Sequence, residues 1–220
     1  MTAATFLALG DSYTIGEGVA PRDRWPAQLV RRLGGAGIRV APPRVIATTG
    51  WTTDELGAAI DAAALAAHPA FDLVSLLIGV NNQYRGRALE AYRQEFAALL
   101  ARAIGFAGGR AARVLVLSIP DWGVTPFAEG RDRAAIARDI DAFNAAARDE
   151  ALRAGAHWVD VTPLSREPHD AWLAADGLHP SGAQYAAWAA AAEGAAAAAL
   201  RDAFPTARGP RGGSRAPGST

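Results

Sequence analysis

Short strand-like runs of apolar residues alternate along this chain with longer, alanine-rich segments of helical character. Strands are predicted at Phe6–Leu9, Arg44–Ala47, Leu73–Ile78, Val114–Ile119 and His157–Val161, and helices at Trp25–Leu33, Thr53–Ala67, Leu89–Ile104, Arg131–Ala154 and Ser181–Phe204. The third and fourth strands are almost entirely apolar, which is typical of parallel strands that are covered on both faces. The alternation therefore predicts an α/β fold in which one parallel sheet of about five strands lies between two layers of helices.

The length of the chain, 220 residues, suits a single α/β domain with a sizeable core. We predict one folded domain over residues 1–204. The remaining segment, residues 205–220, is rich in proline, glycine, serine and arginine, and is predicted to be a disordered, solvated tail.

Composition narrows the classes of function. The chain has no cysteine, which excludes disulfide bonds, thiolate metal sites and cysteine nucleophiles. Its 22 basic and 22 acidic residues balance, so neither nucleic acid nor an anionic membrane surface is indicated as a partner. No apolar run is long enough to span a bilayer, and the N-terminal run is too short for a signal peptide and lacks a basic leader. We therefore expect a cytoplasmic protein without an integral membrane segment, and the sequence does not indicate its oligomeric state.

A serine follows the first predicted strand directly, in the run Gly10-Asp11-Ser12. Ligands bind at the carboxyl ends of the strands in open parallel sheets, so this serine is placed where a site is expected. Asp11 could bind backbone amides of the turn that holds Ser12. A serine becomes a nucleophile only when a base removes its proton, so a base must be found elsewhere in the chain.

The best candidate base is His179, in the run Asp176-Gly177-Leu178-His179-Pro180. A carboxylate three residues before the histidine can be aimed at the imidazole by a tight loop, fixing its tautomer and stabilising its cation. Ser12, His179 and Asp176 thus supply the nucleophile, the base and the acid of a serine hydrolase.

Each motif taken alone has a simpler explanation. Gly-Asp-Ser is commonly a capped turn, and Asp-x-x-His-Pro is commonly a surface loop. Their joint placement, after the first strand and before the last helix, favours catalysis. Among the other histidines, His169 beside Asp170 is the alternative base, whereas His68 precedes a proline and His157 begins a strand. Asp160 is an alternative third acid with a less suitable spacing.

With these motifs, the chain resembles the GDSL/SGNH hydrolase family of serine esterases from Ala8 to about Ala190. The family's blocks are matched in order by Gly10-Asp11-Ser12, by Gly50, by Gly79-Val80-Asn81, and by the residues from Asp176 to His179. The resemblance implies a flavodoxin-like three-layer α/β/α sandwich with Ser12 as the nucleophile. It also implies an oxyanion hole formed by the amides of Ser12 and Gly50 and the side chain of Asn81.

The chemistry of these residues agrees with that implication. Negative charge develops on the carbonyl oxygen during acyl transfer, and fixed N–H donors stabilise it. Gly50 has no Cβ, so its backbone can approach a substrate closely. Asn81 offers two uncharged side-chain donors. In isolation either residue could simply form a turn, but both follow predicted strands.

The chain departs from the family pattern at two positions. Tyr13 stands where the family's name has a leucine, and this change is expected to affect a neighbouring wall more than the mechanism. Asn82 stands where the family has an aspartate after the catalytic asparagine, which removes a charge near the site. The sequence leaves open which hydrogen bonds Asn82 makes to neighbouring loops, and its role is not predicted.

The loops after the third and fourth strands are expected to line the substrate pocket. Tyr84, Trp122 and Phe127 are predicted to bind substrate through an apolar wall suited to an acyl or aryl group. Arg85 is a candidate for binding an anionic leaving group, although a solvated surface arginine is the simpler interpretation.

Members of the family cleave simple esters, thioesters, lysophospholipids and acetylated sugars. We expect a serine hydrolase of small-molecule esters with short acyl chains, and the alternatives on the same triad are a lysophospholipase and an acyl-thioesterase. A non-enzymatic alternative is a flavodoxin-like module in which Ser12-Tyr13-Thr14-Ile15-Gly16 cradles a phosphate or cofactor at a helix N-terminus. The histidines show no metal-ligand spacing, and neither a metal nor a cofactor is expected.

Overall fold

The computed structural model describes residues 2–65, 69–167 and 171–203. The predicted tail, residues 205–220, lies outside the described residues, so its predicted disorder stays a prediction. The same holds for His68 and for the alternative acid–base residues His169 and Asp170.

A single sheet of five parallel strands forms the centre of the fold, in the order β2-β1-β3-β4-β5. The strands are β1 (Phe6–Gly10), β2 (Arg44–Ala47), β3 (Leu73–Leu77), β4 (Val114–Leu117) and β5 (His157–Val159). All residues of β1, β3 and β4 are buried, whereas the edge strand β2 is partly exposed. The predicted α/β class and the parallel sheet are confirmed.

Helices cover both sides of the sheet. They are α1 (Ser12–Ile15), α2 (Trp25–Gly35), α3 (Thr53–Ala62), α4 (Val80–Tyr84), α5 (Leu89–Phe106), α6 (Arg133–Ala154), α7 (Thr162–Arg166) and α8 (Gly182–Ala203). Helices α2 and α8 pack against each other, as do α5 and α6. No helix among the described residues is both long and apolar enough to cross a membrane.

The strand order places a topological switch between β1 and β3. The chain leaves β1 toward β2 on one side and adds β3, β4 and β5 on the other. Connections after β1 and β3 therefore separate, and in doubly wound sheets a ligand crevice opens at that point. The loops that carry Ser12 and Asn81 follow these two strands.

Strands β4 and β5 end two residues earlier than predicted. Beyond the ends of these strands, the backbone forms hydrogen bonds with side chains. The amide of Asn144 accepts a hydrogen bond from Ile119 N at 2.7 Å and donates one to Ile119 O at 3.0 Å. The hydroxyl of Ser118 accepts from Val161 N at 2.7 Å and from Thr162 N at 3.0 Å. An apolar pattern cannot show where such side-chain bonds take over.

Several helix boundaries also differ from the prediction, and two of the differences have a clear physical cause. Helix α3 ends at Ala62 and not at Ala67, because the chain turns and Ala64 adopts φ 47°, which a helix cannot contain. The predicted residues 66–67 lie outside the described part of the chain. Helix α6 begins at Arg133 and not at Arg131, because the Asp132 carboxylate caps it by accepting from Ala135 N at 2.9 Å.

Candidate active site

The ends of three strands and the loop before α8 form a cleft of about 140 Å³. It is lined by Ser12, Tyr13, Val80, Asn81, Tyr84, Trp122, Phe127, Leu178 and His179. The structure thus brings together the predicted nucleophile, the predicted base, one predicted oxyanion donor and the three predicted substrate-binding residues. Gly50 is not among the lining residues.

Ser12 begins helix α1 at the bottom of the cleft and is only 4% exposed. The sharp turn from β1 into the helix needs Gly10, because a Cβ there would lie 2.2 Å from Thr14 Oγ1 and 2.4 Å from Leu77 O. The turn is fixed by Asp11, whose Oδ1 accepts a hydrogen bond from Tyr13 N at 3.0 Å. The structural role predicted for Asp11 is confirmed.

Asp11, which directly precedes Ser12, is completely buried. Burial raises its pKa to about 7, against the opposing effect of the hydrogen bond from the Tyr13 amide. Its second oxygen, Oδ2, is buried and has no hydrogen-bond partner among the described residues. Near neutral pH, the neutral and charged forms of the Asp11 carboxyl group are therefore both populated.

Asp176 and His179 form a hydrogen-bonded pair in the loop before α8. His179 Nδ1 lies 2.7 Å from Asp176 Oδ2, and Asp176 Oδ1 accepts from the amides of Leu178 and His179, each at 3.0 Å. Partial burial disfavours the carboxylate charge, but these hydrogen bonds outweigh it and lower the pKa of Asp176. A carboxylate at Nδ1 holds the ring proton there, which leaves Nε2 free to accept a proton.

Ser12 and His179 face the same cleft, but no hydrogen bond joins the serine hydroxyl to the imidazole among the described residues. Catalytic hydrogen bonds are often long or misaligned in enzymes without substrate and tighten in the Michaelis complex. Proton transfer requires the two side chains to come within hydrogen-bonding distance.

Two contacts that the sequence analysis did not anticipate hold the acid–base loop in place. The ring of Tyr13 meets that of His179 edge-on, with centroids 5.8 Å apart, so its expected effect on a wall extends to the base itself. Gly18 packs against the same loop, because a Cβ there would lie 2.9 Å from Ala174 Cβ and 3.7 Å from Asp176 Oδ2. The closely spaced glycines after Ser12 were the available signal for such an approach.

The predicted oxyanion donors lie in neighbouring loops that contact each other. Asn81 lines the cleft and donates through Nδ2 to Trp51 O at 2.9 Å, which leaves its second N–H available. Gly50 adopts φ 86°, a conformation suited to glycine, and its carbonyl accepts from Arg85 Nη2 at 2.7 Å. Arg85 also pairs with Glu55 at 3.3 Å, so it holds the Gly50 loop and is not a free cation.

Asn82 is a buried connection between α4 and α3. Its side chain is 0% exposed; Oδ1 accepts from Thr53 N at 3.1 Å and Nδ2 donates to Thr53 Oγ1 at 2.6 Å. Glu95 Oε2 lies 3.5 Å from the same Nδ2 and also accepts from the Thr53 hydroxyl. These contacts give Asn82 a supporting role between the two helices, and a neutral amide suits a position that faces the Glu95 carboxylate.

Three aromatic side chains form one wall of the cleft. Tyr84 lies 5.4 Å from Trp122 and 6.1 Å from Phe127 between ring centroids, and Trp122 and Phe127 are 6.0 Å apart. Trp122 is anchored by its Nε1, which donates to Gln83 Oε1 at 2.9 Å. Tyr84 and Phe127 remain 44% and 42% exposed, so the outer half of the wall is open to solvent.

The remaining candidate residues have structural partners. The carboxylate of Asp160 accepts from Ser118 Oγ at 2.9 Å and from Thr162 N at 3.1 Å, which is a strand-end role. His157 contacts Ala112 O through Nε2 at 3.0 Å. Within the described ranges, no group of three or more acidic or histidine side chains could hold a metal ion.

A larger depression, of about 480 Å³, lies beside the start of β3 and is lined mainly by apolar residues such as Ile60, Leu65, Phe71 and Phe106. It contains none of the predicted catalytic groups. Residues 66–68, which border it in sequence, are outside the described part of the chain. The smaller cleft remains the candidate active site, because the chemistry is concentrated there.

Comparisons with known proteins identify the family and the fold that the chain shares. The model of the GDSL-like lipase/acylhydrolase family matches residues 8–187. No curated protein matches the chain at a significant level of sequence similarity.

Several solved structures are similar to this one. A lipase/acylhydrolase from Enterococcus faecalis has a TM-score of 0.66 and 20% identity, over 87% of this chain and 96% of that chain. The psychrotrophic esterase EstA from Pseudoalteromonas sp. has a TM-score of 0.66 and 14% identity, over 92% and 100% of the two chains. Axe2, an acetylxylan esterase from Geobacillus stearothermophilus, has a TM-score of 0.65 and 20% identity, over 88% and 94%. At these identities the likeness establishes a common fold.

Proposed function

The chain belongs to the GDSL-like lipase/acylhydrolase family, and from this premise we propose that it hydrolyses carboxylic esters through an acyl-enzyme on Ser12. The observation that carries the proposal is the convergence of Ser12 and His179 on one cleft, with the imidazole oriented by Asp176 at 2.7 Å.

In the first half of the reaction, Ser12 Oγ attacks the ester carbonyl while His179 Nε2 takes the serine proton. The protonated imidazole is stabilised by the Asp176 carboxylate, whose lowered pKa keeps it charged. His179 then donates the proton to the alcohol oxygen as the carbon–oxygen bond breaks. The alcohol leaves, and the acyl group remains on Ser12.

In the second half, a water molecule attacks the acyl-enzyme and gives its proton to His179. Collapse of this second intermediate returns the proton to Ser12 Oγ and releases the carboxylic acid. In both halves we assign stabilisation of the oxyanion to the Ser12 and Gly50 amides and the Asn81 side chain. The hydrogen bonds from Asn81 to Trp51 O and from Arg85 to Gly50 O hold the two oxyanion loops together.

The size of the cleft favours short acyl chains, from acetyl to butyryl. The cleft is small, about 140 Å³, and its aromatic wall is half open to solvent at the outer end. Axe2 is named for the removal of acetyl groups, and an acetyl ester would fit this space. A lysophospholipase or acyl-thioesterase acting on long chains would need a deeper site than the one between Tyr84 and Phe127.

A phosphate-binding module is less compatible with this site. Helix α1 spans only four residues, and the carboxylate of Asp11 already occupies the Tyr13 amide at its start. A second anion placed there would meet an acidic cap. Because helix N-termini bind phosphate through free amides, this one offers little to a phosphate.

Labelling with a fluorophosphonate, followed by mapping of the modified residue, tests the proposal directly. We expect one adduct on Ser12 of the folded protein, and no adduct on the Ser12→Ala variant or on heat-denatured protein. An adduct on another serine of the native protein would overturn the assignment of the nucleophile.

A further inference from the structure

An arginine lies over the outer end of the aromatic wall. The guanidinium carbon of Arg131 is 5.1 Å from the ring centroid of Tyr84, 5.4 Å from that of Trp122 and 5.6 Å from that of Phe127. Its Nη2 also donates to the Tyr84 hydroxyl at 3.2 Å. All three rings line the cleft that contains Ser12, so the charge lies at the rim of the candidate active site.

Arg131 has no carboxylate partner within the described part of the chain, unlike other arginines around the loops that form the site. Arg85 pairs with Glu55, Arg87 with Asp54 at 2.6 Å, and Arg166 with Asp121 at 2.8 Å. The two acids closest to Arg131 in sequence are exposed, and one of them, Asp132, caps helix α6. The positive charge of Arg131 is therefore not neutralised by an ion pair.

The way in which Arg131 is held leaves its hydrogen-bond donors accessible. A guanidinium over aromatic rings uses its flat face for the cation–π contact, and its five N–H donors point outward from its edge. One of these donors reaches Tyr84, and Arg131 as a residue is exposed to solvent. A rigid fork of this kind suits a planar carboxylate or a phosphate group, which can accept two hydrogen bonds at once.

We propose that Arg131 is a specificity-determining residue that binds an anionic group carried by the ester substrate. The inference rests on the proposed function and names its substrate class: an ester whose reacting carbonyl sits at Ser12 while a carboxylate or phosphate projects past Tyr84 and Phe127 to the rim. The anion can belong to the acyl part or to the alcohol part of the ester, and the experiment separates the two.

The test compares each anionic ester with its neutral methyl ester. For the acyl part, the pair is the para-nitrophenyl half-ester of glutaric acid and its methyl ester; for the alcohol part, it is para-acetoxybenzoate and methyl para-acetoxybenzoate. We expect kcat/KM to favour the anionic member of at least one pair by about fivefold or more at low salt, and the preference to fall as salt screens the charge. Arg131→Gln should abolish the preference, and Arg131→Lys should keep part of it.

Arg148→Gln is the matched control. It removes an exposed charge from helix α6, which begins two residues after Arg131, at a point about 22 Å along the axis from the start of that helix. It should leave kcat/KM for both pairs unchanged. The inference is overturned if wild type shows no preference for either anion, or if Arg131→Gln lowers the two members of each pair equally. Equal losses would mean that Arg131 only supports the aromatic wall.

A binding measurement separates this inference from the proposed function. Calorimetric titration of the Ser12→Ala variant with both members of each pair reports the charge preference without hydrolysis. Tighter binding of the anionic ester that is lost when Arg131→Gln is added supports the inference. It does so even if wild type hydrolyses no ester, because that result would contradict only the proposed reaction. Equal affinities with and without Arg131 overturn the inference even if hydrolysis is fast.

Discussion

At the scale of single residues, the pKa values of two aspartates of the candidate site, Asp11 and Asp176, are shifted in opposite directions because their surroundings differ. Asp11 is completely buried, with one oxygen unpartnered among the described residues, and burial raises its pKa to about 7. Asp176 is partly exposed and accepts three hydrogen bonds, which outweigh its burial and lower its pKa. One carboxyl group is suited to shaping a turn and the other to carrying a charge.

Asp11 should make the stability of the fold depend on pH. Its carboxyl group has a pKa near 3.8 when unfolded and about 7 when folded, so the folded state holds the proton more tightly. Its contribution to the free energy of unfolding is fully present below about pH 4 and is lost as the pH rises through about 7, by up to about 4 kcal/mol. We expect Asp11→Asn, which stays neutral, to lose this dependence.

Urea unfolding of wild type and Asp11→Asn between about pH 4 and 8 provides the measurement. The difference in unfolding free energy should shift in favour of the variant as the pH rises. Asp132→Asn, which changes an exposed helix cap, should show no comparable shift. A difference between wild type and Asp11→Asn that stays constant across this range would contradict the argument.

Ester hydrolysis should be lost on acidification, because only a neutral imidazole can accept the proton of Ser12. Asp176 keeps its charge to lower pH than an ordinary carboxyl group because its pKa is lowered, so it still orients the imidazole there. The measurement is kcat/KM for a neutral para-nitrophenyl ester as a function of pH, and a profile that stays flat on acidification would exclude a histidine base.

Two adjacent asparagines should have separable effects. Asn81→Ala should lower kcat by about a hundred- to a thousand-fold with a smaller change in KM, since an oxyanion exists fully only in the transition state. Asn82→Ala should mainly lower the free energy of unfolding, by about 1–3 kcal/mol, because the Thr53 amide loses its buried partner. Kinetics and urea unfolding of both variants give the comparison; a larger loss of kcat in Asn82→Ala would reverse these roles.

At the scale of elements, the positions of strands and long helices could be predicted from the sequence because they follow from runs of apolar residues. The ends of the strands could not be predicted as well. There, the side chains of Ser118 and Asn144 take the place of backbone hydrogen bonds between strands, and no local sequence pattern shows this. The short helices α1, α4 and α7 span only four or five residues each, which is too few for a helical period to be recognised.

Some residues of the candidate site could also be predicted from the sequence, and others could not. Ser12, Asp176 and His179 could be proposed because each lies in a short motif. The packing of Gly18 against the acid–base loop and the placement of Arg131 over three rings could not, since both depend on distances between segments far apart in sequence. The role of Gly50 in the oxyanion hole remains a prediction, because Gly50 does not line the cleft and its carbonyl is bound by Arg85.

The packing of Gly18 predicts a sensitive position outside the triad. In Gly18→Ala, the new Cβ would lie 2.9 Å from Ala174 Cβ, so the loop that carries Asp176 and His179 must move. We expect a lower kcat with a smaller change in KM, together with the backbone penalty of alanine at φ 77°.

Gly37→Ala is a matched control for the backbone penalty. Gly37 has a similar φ of 80°, but a Cβ there would meet no atom within 4 Å. Both variants should lose about 1–2 kcal/mol of unfolding free energy from strain, and only Gly18→Ala should lose activity. Equal kcat values in the two variants would show that the Gly18 contact does not position the base.

At the scale of the whole molecule, the sheet topology explains why the site is shallow. The crevice opens between the connections that follow β1 and β3, and the connections that surround it are short α1 and α4 segments. Only the Tyr84–Trp122–Phe127 wall extends it toward solvent, and two of those rings are about half exposed. The fold therefore supplies a rigid floor with little depth for a long acyl chain.

This geometry predicts how the rate depends on acyl length. Each methylene that enters the cleft contributes about 0.8 kcal/mol of burial, but beyond a few carbons the chain projects into water and gains little. We expect kcat/KM for para-nitrophenyl esters, measured below their micelle concentrations, to level off or fall beyond butyrate. A steady rise through decanoate would indicate a deep acyl tunnel and favour a lysophospholipase or an acyl-thioesterase.

The packing of α2 against α8 has a consequence for how activity first arises in a newly made chain. Ser12 lies before α2 and His179 lies just before α8, so the nucleophile and its base meet only when these distant segments dock. A chain in which α8 has not docked on α2 would therefore hold the nucleophile without its base. In refolding experiments, recovered turnover would report the completion of the native fold.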